Sequence, residues 1–203
     1  MAIMDYLDER PDVHRILEFG YGFNATLFER YGRQRDVWGI DDYQGLHYSA
    51  PDAVEWERRF NDEVRLKSPN CTFRRGLLGR ESRVDLPENY FDVICSVSVL
   101  EEVPIQTVRD ILAHAVKLLK PGGVLIGTHD LVTNFPARIG EYLAAHAEAG
   151  FDLEDPHPFI ELGGHRLLLE GPTVAMLWYQ AHEGEGRKYL GHFTTMWTVA
   201  KKI

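Results

Sequence analysis

The sequence predicts an α/β domain, a mostly parallel sheet of seven strands with helices on both faces. Three observations carry the prediction. An apolar run ends in a Gly-x-Gly turn within Arg15–Ala25 (Arg-Ile-Leu-Glu-Phe-Gly-Tyr-Gly-Phe-Asn-Ala), where Gly20 and Gly22 can take backbone angles closed to other residues. Strand-like and helix-like segments then alternate along the chain, and crossover helices bury both faces of a parallel sheet. Asp41 follows Gly20 by about twenty residues, the interval at which nucleotide-binding units present a carboxylate to ribose hydroxyls.

The first strand covers Ile16–Phe19, and a helix starts near Asn24, a residue type suited to capping. Asp36–Ile40 is the second strand, with Asp41 and Asp42 at its end. From 51 to about 67, Ala53, Trp56, Phe60 and Val64 recur at helical spacing among charged residues. Cys71–Arg75 and the apolar Phe91–Val97 are the third and fourth strands. A stripe of Val108, Ile111, Ala115 and Leu118 marks a helix over 105–119, stopped by Pro121-Gly122-Gly123. Val124–Thr128 is the fifth strand, 136–149 a helix closed by Gly150, and Phe151–Glu154 the sixth strand. Phe193–Lys201 completes the sheet, while 155–191 forms an irregular, glycine-punctuated excursion.

A chain of 203 residues with 44% hydrophobic content suits a single domain spanning 1–203. The net charge of −9 argues against a general nucleic-acid binder, whose phosphate contacts need a basic surface. Cys71 and Cys95 have no metal-pair spacing and fit a reducing compartment. The acidic N-terminus lacks a signal-peptide core, and no apolar run approaches the roughly 20 residues of a membrane span, so a cytoplasmic location is expected. Ligands of parallel sheets bind at the strands' carboxyl ends. Taken alone, Gly20-x-Gly22-x-x-Ala25 also fits a dinucleotide fingerprint, and with Asp41 it leaves a nicotinamide-dependent oxidoreductase open.

Four segments in order resemble the class I S-adenosylmethionine-dependent methyltransferases: Ile16–Gly22, Val37–Asp41, Phe91–Pro104 and Leu118–Ile126. The dehydrogenase reading explains only the first two. The resemblance implies a Rossmann-like sheet, S-adenosyl-L-methionine as cofactor, and a small-molecule methyl acceptor, with O-methylation of a sugar or secondary metabolite expected. It further implies that Glu18 holds the methionine part of the cofactor, that Gly20, Tyr21 and Gly22 form the turn beneath it, and that Asp41 accepts bonds from both ribose hydroxyls. Asp42, Leu77 and Ser96 complete the implied cofactor set, with solvated charges as the alternative for Glu18 and Asp42. The excursion over 155–191 becomes an insertion on the acceptor side, and a homodimer is compatible with the reading.

Departures from the family are also visible. Asn24 replaces the turn's third glycine, Gly76-Leu77-Leu78 lacks the acid often found near the adenine, and Glu102 stands where many relatives carry a histidine. No proton-transfer role can be carried over to Glu102. An inactive, methyltransferase-like binding partner therefore stays open as an alternative.

Methyl transfer from a sulfonium is an in-line displacement, so the protein positions the acceptor and, for a hydroxyl, removes its proton. His129, with Asp130 just beyond the fifth strand, is the candidate catalytic base, because imidazole titrates near neutrality. The alternative is a strand-end histidine bonded to the backbone. His146 falls on a stripe of Ile139, Tyr142, Leu143 and Ala147 and reads as a packed helix residue. His157, His165, His182 and His192 lack metal-ligand spacing, so no metal is expected.

Overall fold

The computed structural model describes residues 2–43, 53–79, 84–132, 136–153, 169–170 and 192–203. The elements are α1 (Ala2–Asp8), β1 (Arg15–Phe19), α2 (Thr26–Tyr31), β2 (Asp36–Asp41), α3 (Ala53–Lys67), β3 (Cys71–Arg75), β4 (Phe91–Val97), a 3-10 turn (Leu100–Glu102), α4 (Ile105–Leu118), β5 (Leu119–Val132), α5 (Pro136–Ala149), β6 (Phe151–Leu153), β7 (Leu169–Glu170) and β8 (His192–Lys202). The sheet order is β3-β2-β1-β4-β5-β8-β6, with the two-residue β7 pairing β8 off this path. Strands β3 through β5 run parallel, and β8 is antiparallel to β5, β6 and β7. The expected seven-stranded, mostly parallel sheet is therefore present along this path, with β7 as a short eighth strand. Strand order reverses between β1 and β4, and a crevice for ligands opens at such a switch point.

Alternation along the central strands splits the core between the two faces. Ile16 and Val93 join Leu27, Phe28 and Tyr31 of α2, whereas Leu17 and Ile94 join Val108, Ile111 and Leu112 of α4. At the amino ends of the strands, Asp92 accepts the His14 and Arg15 N–H groups at 2.9 and 2.8 Å and pairs with Lys120, tying β1, β4 and β5 together. That end of the sheet is closed by structure. The opposite end carries the candidate site residues Gly20, Gly22 and Asp41.

Local differences from the sequence reading have local causes. Helix α4 stops at Leu118 because Leu119 is already extended, at φ −70° and ψ 142°, two residues before Pro121. Strand β5 then runs through Pro121-Gly122-Gly123, paired with β4 and, from Val124, with β8. Helix α2 begins at Thr26, with Asn24 Oδ1 accepting the Thr26 N–H at 3.0 Å. On α5 the buried face is Tyr142, Ala145 and His146, with Ala147 exposed, so the stripe is rotated from the one expected. The excursion over 155–191 lies outside the described residues apart from Leu169–Glu170, as do His157, His165 and His182.

Candidate active site

The turn after β1 is shaped by two glycines in the left-handed region, Gly20 at φ +68° and Gly22 at φ +55°. Gly20 N–H donates to Ile40 O at 2.9 Å, and a Cβ at this position would lie 2.4 Å from Val99 Cγ2. The turn therefore packs on the segment that follows β4. Only glycine meets both requirements.

Asp41, at the end of β2, closes onto this turn. Its Oδ2 accepts the Gly22 N–H at 2.8 Å and its Oδ1 the Tyr43 N–H at 2.6 Å. Each oxygen keeps a further acceptor site. Glu18 sits one strand inward, in register with Gly39 of β2 and Cys95 of β4. It is 5% exposed, and its Oε2 has no hydrogen-bond partner. Burial, and then the Asp41 charge, push its carboxyl up to about 8. Burial likewise raises Asp41, against the Gly22, Tyr43 and Asp42 backbone N–H groups that lower it. Among the described residues no cation pairs with either acid, and Glu18 Oε2 lacks a donor.

The other implied cofactor residues are placed differently. Tyr21 leaves its backbone at the turn, but its ring enters the core against Phe28 and Phe73, with centroids at 5.1 and 5.6 Å. Asp42 is half-buried beside Asp41. Leu77 is 53% exposed just after Gly76, whose N–H bonds the Asp41 carbonyl at 2.9 Å. Ser96 lies within β4 opposite Gly127, fully buried, with its Oγ lacking a partner. Glu18, Gly20, Gly22 and Asp41 come together; the Tyr21 ring packs in the core against Gly39, and the Ser96 side chain is buried within β4.

His129 projects from β5 into a buried polar cluster. Its Nε2 lies 3.1 Å from Thr198 Oγ1, and that hydroxyl reaches Gly127 O at 3.4 Å. If the hydroxyl donates to the carbonyl, Nε2 carries the imidazole proton and Nδ1 keeps its lone pair. Nδ1 has no hydrogen-bond partner and lies 3.8 Å from Glu101 Oε2, on the 3-10 turn after β4. Tyr142 stacks on the ring at 5.7 Å and donates to Leu100 O at 2.8 Å. Glu102, in contrast, is exposed. His146 is packed, as expected: its Nδ1 contacts Tyr142 O at 2.7 Å, and burial lowers it to about 4. Among the described residues no group of three or more His, Cys, Asp or Glu could hold a metal ion, and no helix is long and apolar enough to cross a membrane.

Sequence reasoning missed Tyr43, Asn61, Glu101, Thr198 and Tyr142. Tyr43 had the nearest signal, two residues after Asp41. Thr198 had none, since its contact with His129 depends on pairing between β5 and β8.

A family model described as a methyltransferase domain matches residues 17–127, more than half of the 203. It takes in the turn and Asp41 and ends before His129. No curated protein matches the chain by sequence. Among solved structures, a Galdieria sulphuraria protein assigned as a sarcosine dimethylglycine methyltransferase superposes with a TM-score of 0.64 at 13% identity, covering 99% of this chain and 84% of its own. A Mesorhizobium loti S-adenosylmethionine-dependent methyltransferase gives 0.55 at 17% identity over 100% and 98%. A Streptomyces coelicolor geranyl diphosphate C-methyltransferase gives 0.61 at 12% identity over 100% and 78%. The shared fold serves acceptors of different chemistry.

Proposed function

We propose, from the premise that this chain belongs to the class I S-adenosylmethionine-dependent methyltransferase family, that it methylates a hydroxyl of a small molecule such as a sugar or secondary metabolite. The family match reaches the later motifs that a dinucleotide dehydrogenase would leave unexplained. The residues at the turn suit the cofactor. A buried carboxylate with an orphaned oxygen and a second acid with spare acceptor sites call for a cationic ligand rich in donors. S-adenosylmethionine has a sulfonium, an ammonium and two ribose hydroxyls, and when bound it supplies the electrophilic methyl group.

Asp41 then provides negative charge, Glu18 loses its proton as the cationic ligand arrives beside it, and Gly20 and Gly22 let the backbone approach closely. On the acceptor side, the proton of the attacking hydroxyl passes to His129 Nδ1. Glu101, 3.8 Å away, stabilises the resulting imidazolium, and Thr198 with Tyr142 holds the ring. The observation that supports an oxygen acceptor is that nitrogen, buried without a hydrogen-bond partner and 3.8 Å from the Glu101 carboxylate.

Mass spectrometry of candidate metabolites incubated with protein and labelled cofactor identifies the product and the modified atom. His129→Ala should lower turnover by on the order of 100-fold, with affinity for S-adenosylhomocysteine unchanged. Equal turnover in both proteins rejects the base, and transfer to nitrogen or carbon rejects the acceptor class.

A further inference from the structure

We propose that Tyr21 and Tyr43 form a buried hydroxyl latch that positions Asp41 for the cofactor's ribose. The two hydroxyl oxygens lie 2.5 Å apart, and Tyr21 Oη is also 3.4 Å from Asn61 Oδ1 on α3. Either hydroxyl can donate in the Tyr21–Tyr43 bond, and the Asn61 side chain also bonds Tyr43, so the three side chains form one buried cluster. The bonds close a ring. Tyr43 hydroxyl meets Tyr21, Tyr21 is followed by Gly22, and the Gly22 and Tyr43 N–H groups both end on the Asp41 carboxylate. The turn after β1 and the loop after β2 are thereby fastened to each other on either side of Asp41.

The latch is needed because of the backbone it holds. Tyr43 has φ +58°, a left-handed conformation that a bulky residue seldom adopts unless its surroundings impose it. Relaxing to an extended backbone would withdraw its N–H from Asp41. The hydroxyl bond, together with stacking on Phe23 at 5.2 Å, opposes that relaxation. Both tyrosines are buried, and burial pushes Tyr43 up to about 12 and Tyr21 higher, so the pair keeps its protons at neutral pH. Tyr21 and Tyr43 are thus positioning residues that act through Asp41.

The inference rests on the reading that Asp41 meets the ribose, and the experiment separates the two. Calorimetry measures S-adenosylhomocysteine affinity for the wild type, Tyr43→Phe, Asp41→Asn and the double variant. Tyr43→Phe should bind about tenfold more weakly, the worth of one such hydrogen bond. In the Asp41→Asn background the same change should cost less than about twofold, because the residue through which it acts is already impaired. Tyr31→Phe is the control, since the Tyr31 hydroxyl bonds Asp8 Oδ1 at 2.8 Å and reaches Met4 O at 3.0 Å with no bond to the Asp41 turn, and it should lower the melting temperature with affinity intact. Should Tyr43→Phe fail to fold, Tyr21→Phe tests the same bond. Wild-type affinity in Tyr43→Phe beside weakened Asp41→Asn overturns the latch, as does strict additivity. Unchanged affinity in Asp41→Asn overturns the ribose placement, and the latch with it.

Discussion

Replacing Glu18 by glutamine should stabilise the protein while weakening its hold on the cofactor. The carboxyl is buried with an orphaned oxygen, and its folded value of about 8 compares with 4.5 in an exposed glutamate. Because the folded value is raised, the stability contributed by the protonated acid is fully present below 4.5 and is lost as pH rises through 8. At pH 7 the loss amounts to roughly 3 kcal/mol, at about 1.36 kcal/mol per pH unit, and at pH 5 it is under about 1 kcal/mol. An amide of the same shape never ionises. Urea denaturation of wild type and Glu18→Gln at pH 5, 7 and 8.5 should therefore show an advantage for the variant that grows with pH. Cofactor affinity should fall by about ten- to a hundredfold, since a charge-assisted bond of roughly 1.5 to 3 kcal/mol is lost. Parallel stability curves would refute the claim that burial of this charge costs the fold anything.

His146 should give the opposite pH dependence. Burial lowers it to about 4, so the stability of the neutral imidazole is present above about 6.5 and lost as pH falls through 4, by up to roughly 3 kcal/mol. His146→Leu should remove that acid loss in urea midpoints taken at pH 4.5 and 7.5, and an unchanged acid slope would count against it. Replacing 162–191 with a short Gly-Ser linker should abolish methyl transfer yet retain much of the cofactor affinity, provided circular dichroism shows a folded domain. Normal turnover of the same acceptor would remove this segment from acceptor recognition.

What could be read in the sequence was local. Glu18, Gly20 and Gly22 lie within one strand and its turn, and Asp41 lies one crossover away, so spacing alone brings them together. His146 was legible as packed because helical period is a short-range property, although the exposed Ala147 shows that the period fixed the face only to within a residue. Ser96 shows where spacing stops being informative: within an apolar strand it has no turn to present it, and its hydroxyl ends up opposite Gly127. The His129 surroundings join β5, β8, α5 and the turn after β4. No pattern along the chain encodes that meeting, because it depends on the register of strands and helices distant in sequence.

One residue links the exposed need of Glu18 to the latch beside it. Gly39 stands opposite Glu18 on β2, and residues in register on neighbouring parallel strands share a face. On the other side stands Cys95, a weak donor at best, which burial raises well above its ordinary value and keeps neutral. Glu18 therefore has no strong side-chain donor beside it on either strand. A Cβ on Gly39 would fall 2.8 Å from both Phe28 Cζ and Tyr21 Cε1, so the glycine is what admits the Tyr21 ring to the core. The same missing side chain that leaves the carboxylate to be satisfied from outside lets Tyr21 reach Tyr43 and fasten Asp41. The demand for a cationic ligand and the means of orienting it thus follow from one position, and a larger residue at Gly39 would disturb both at once.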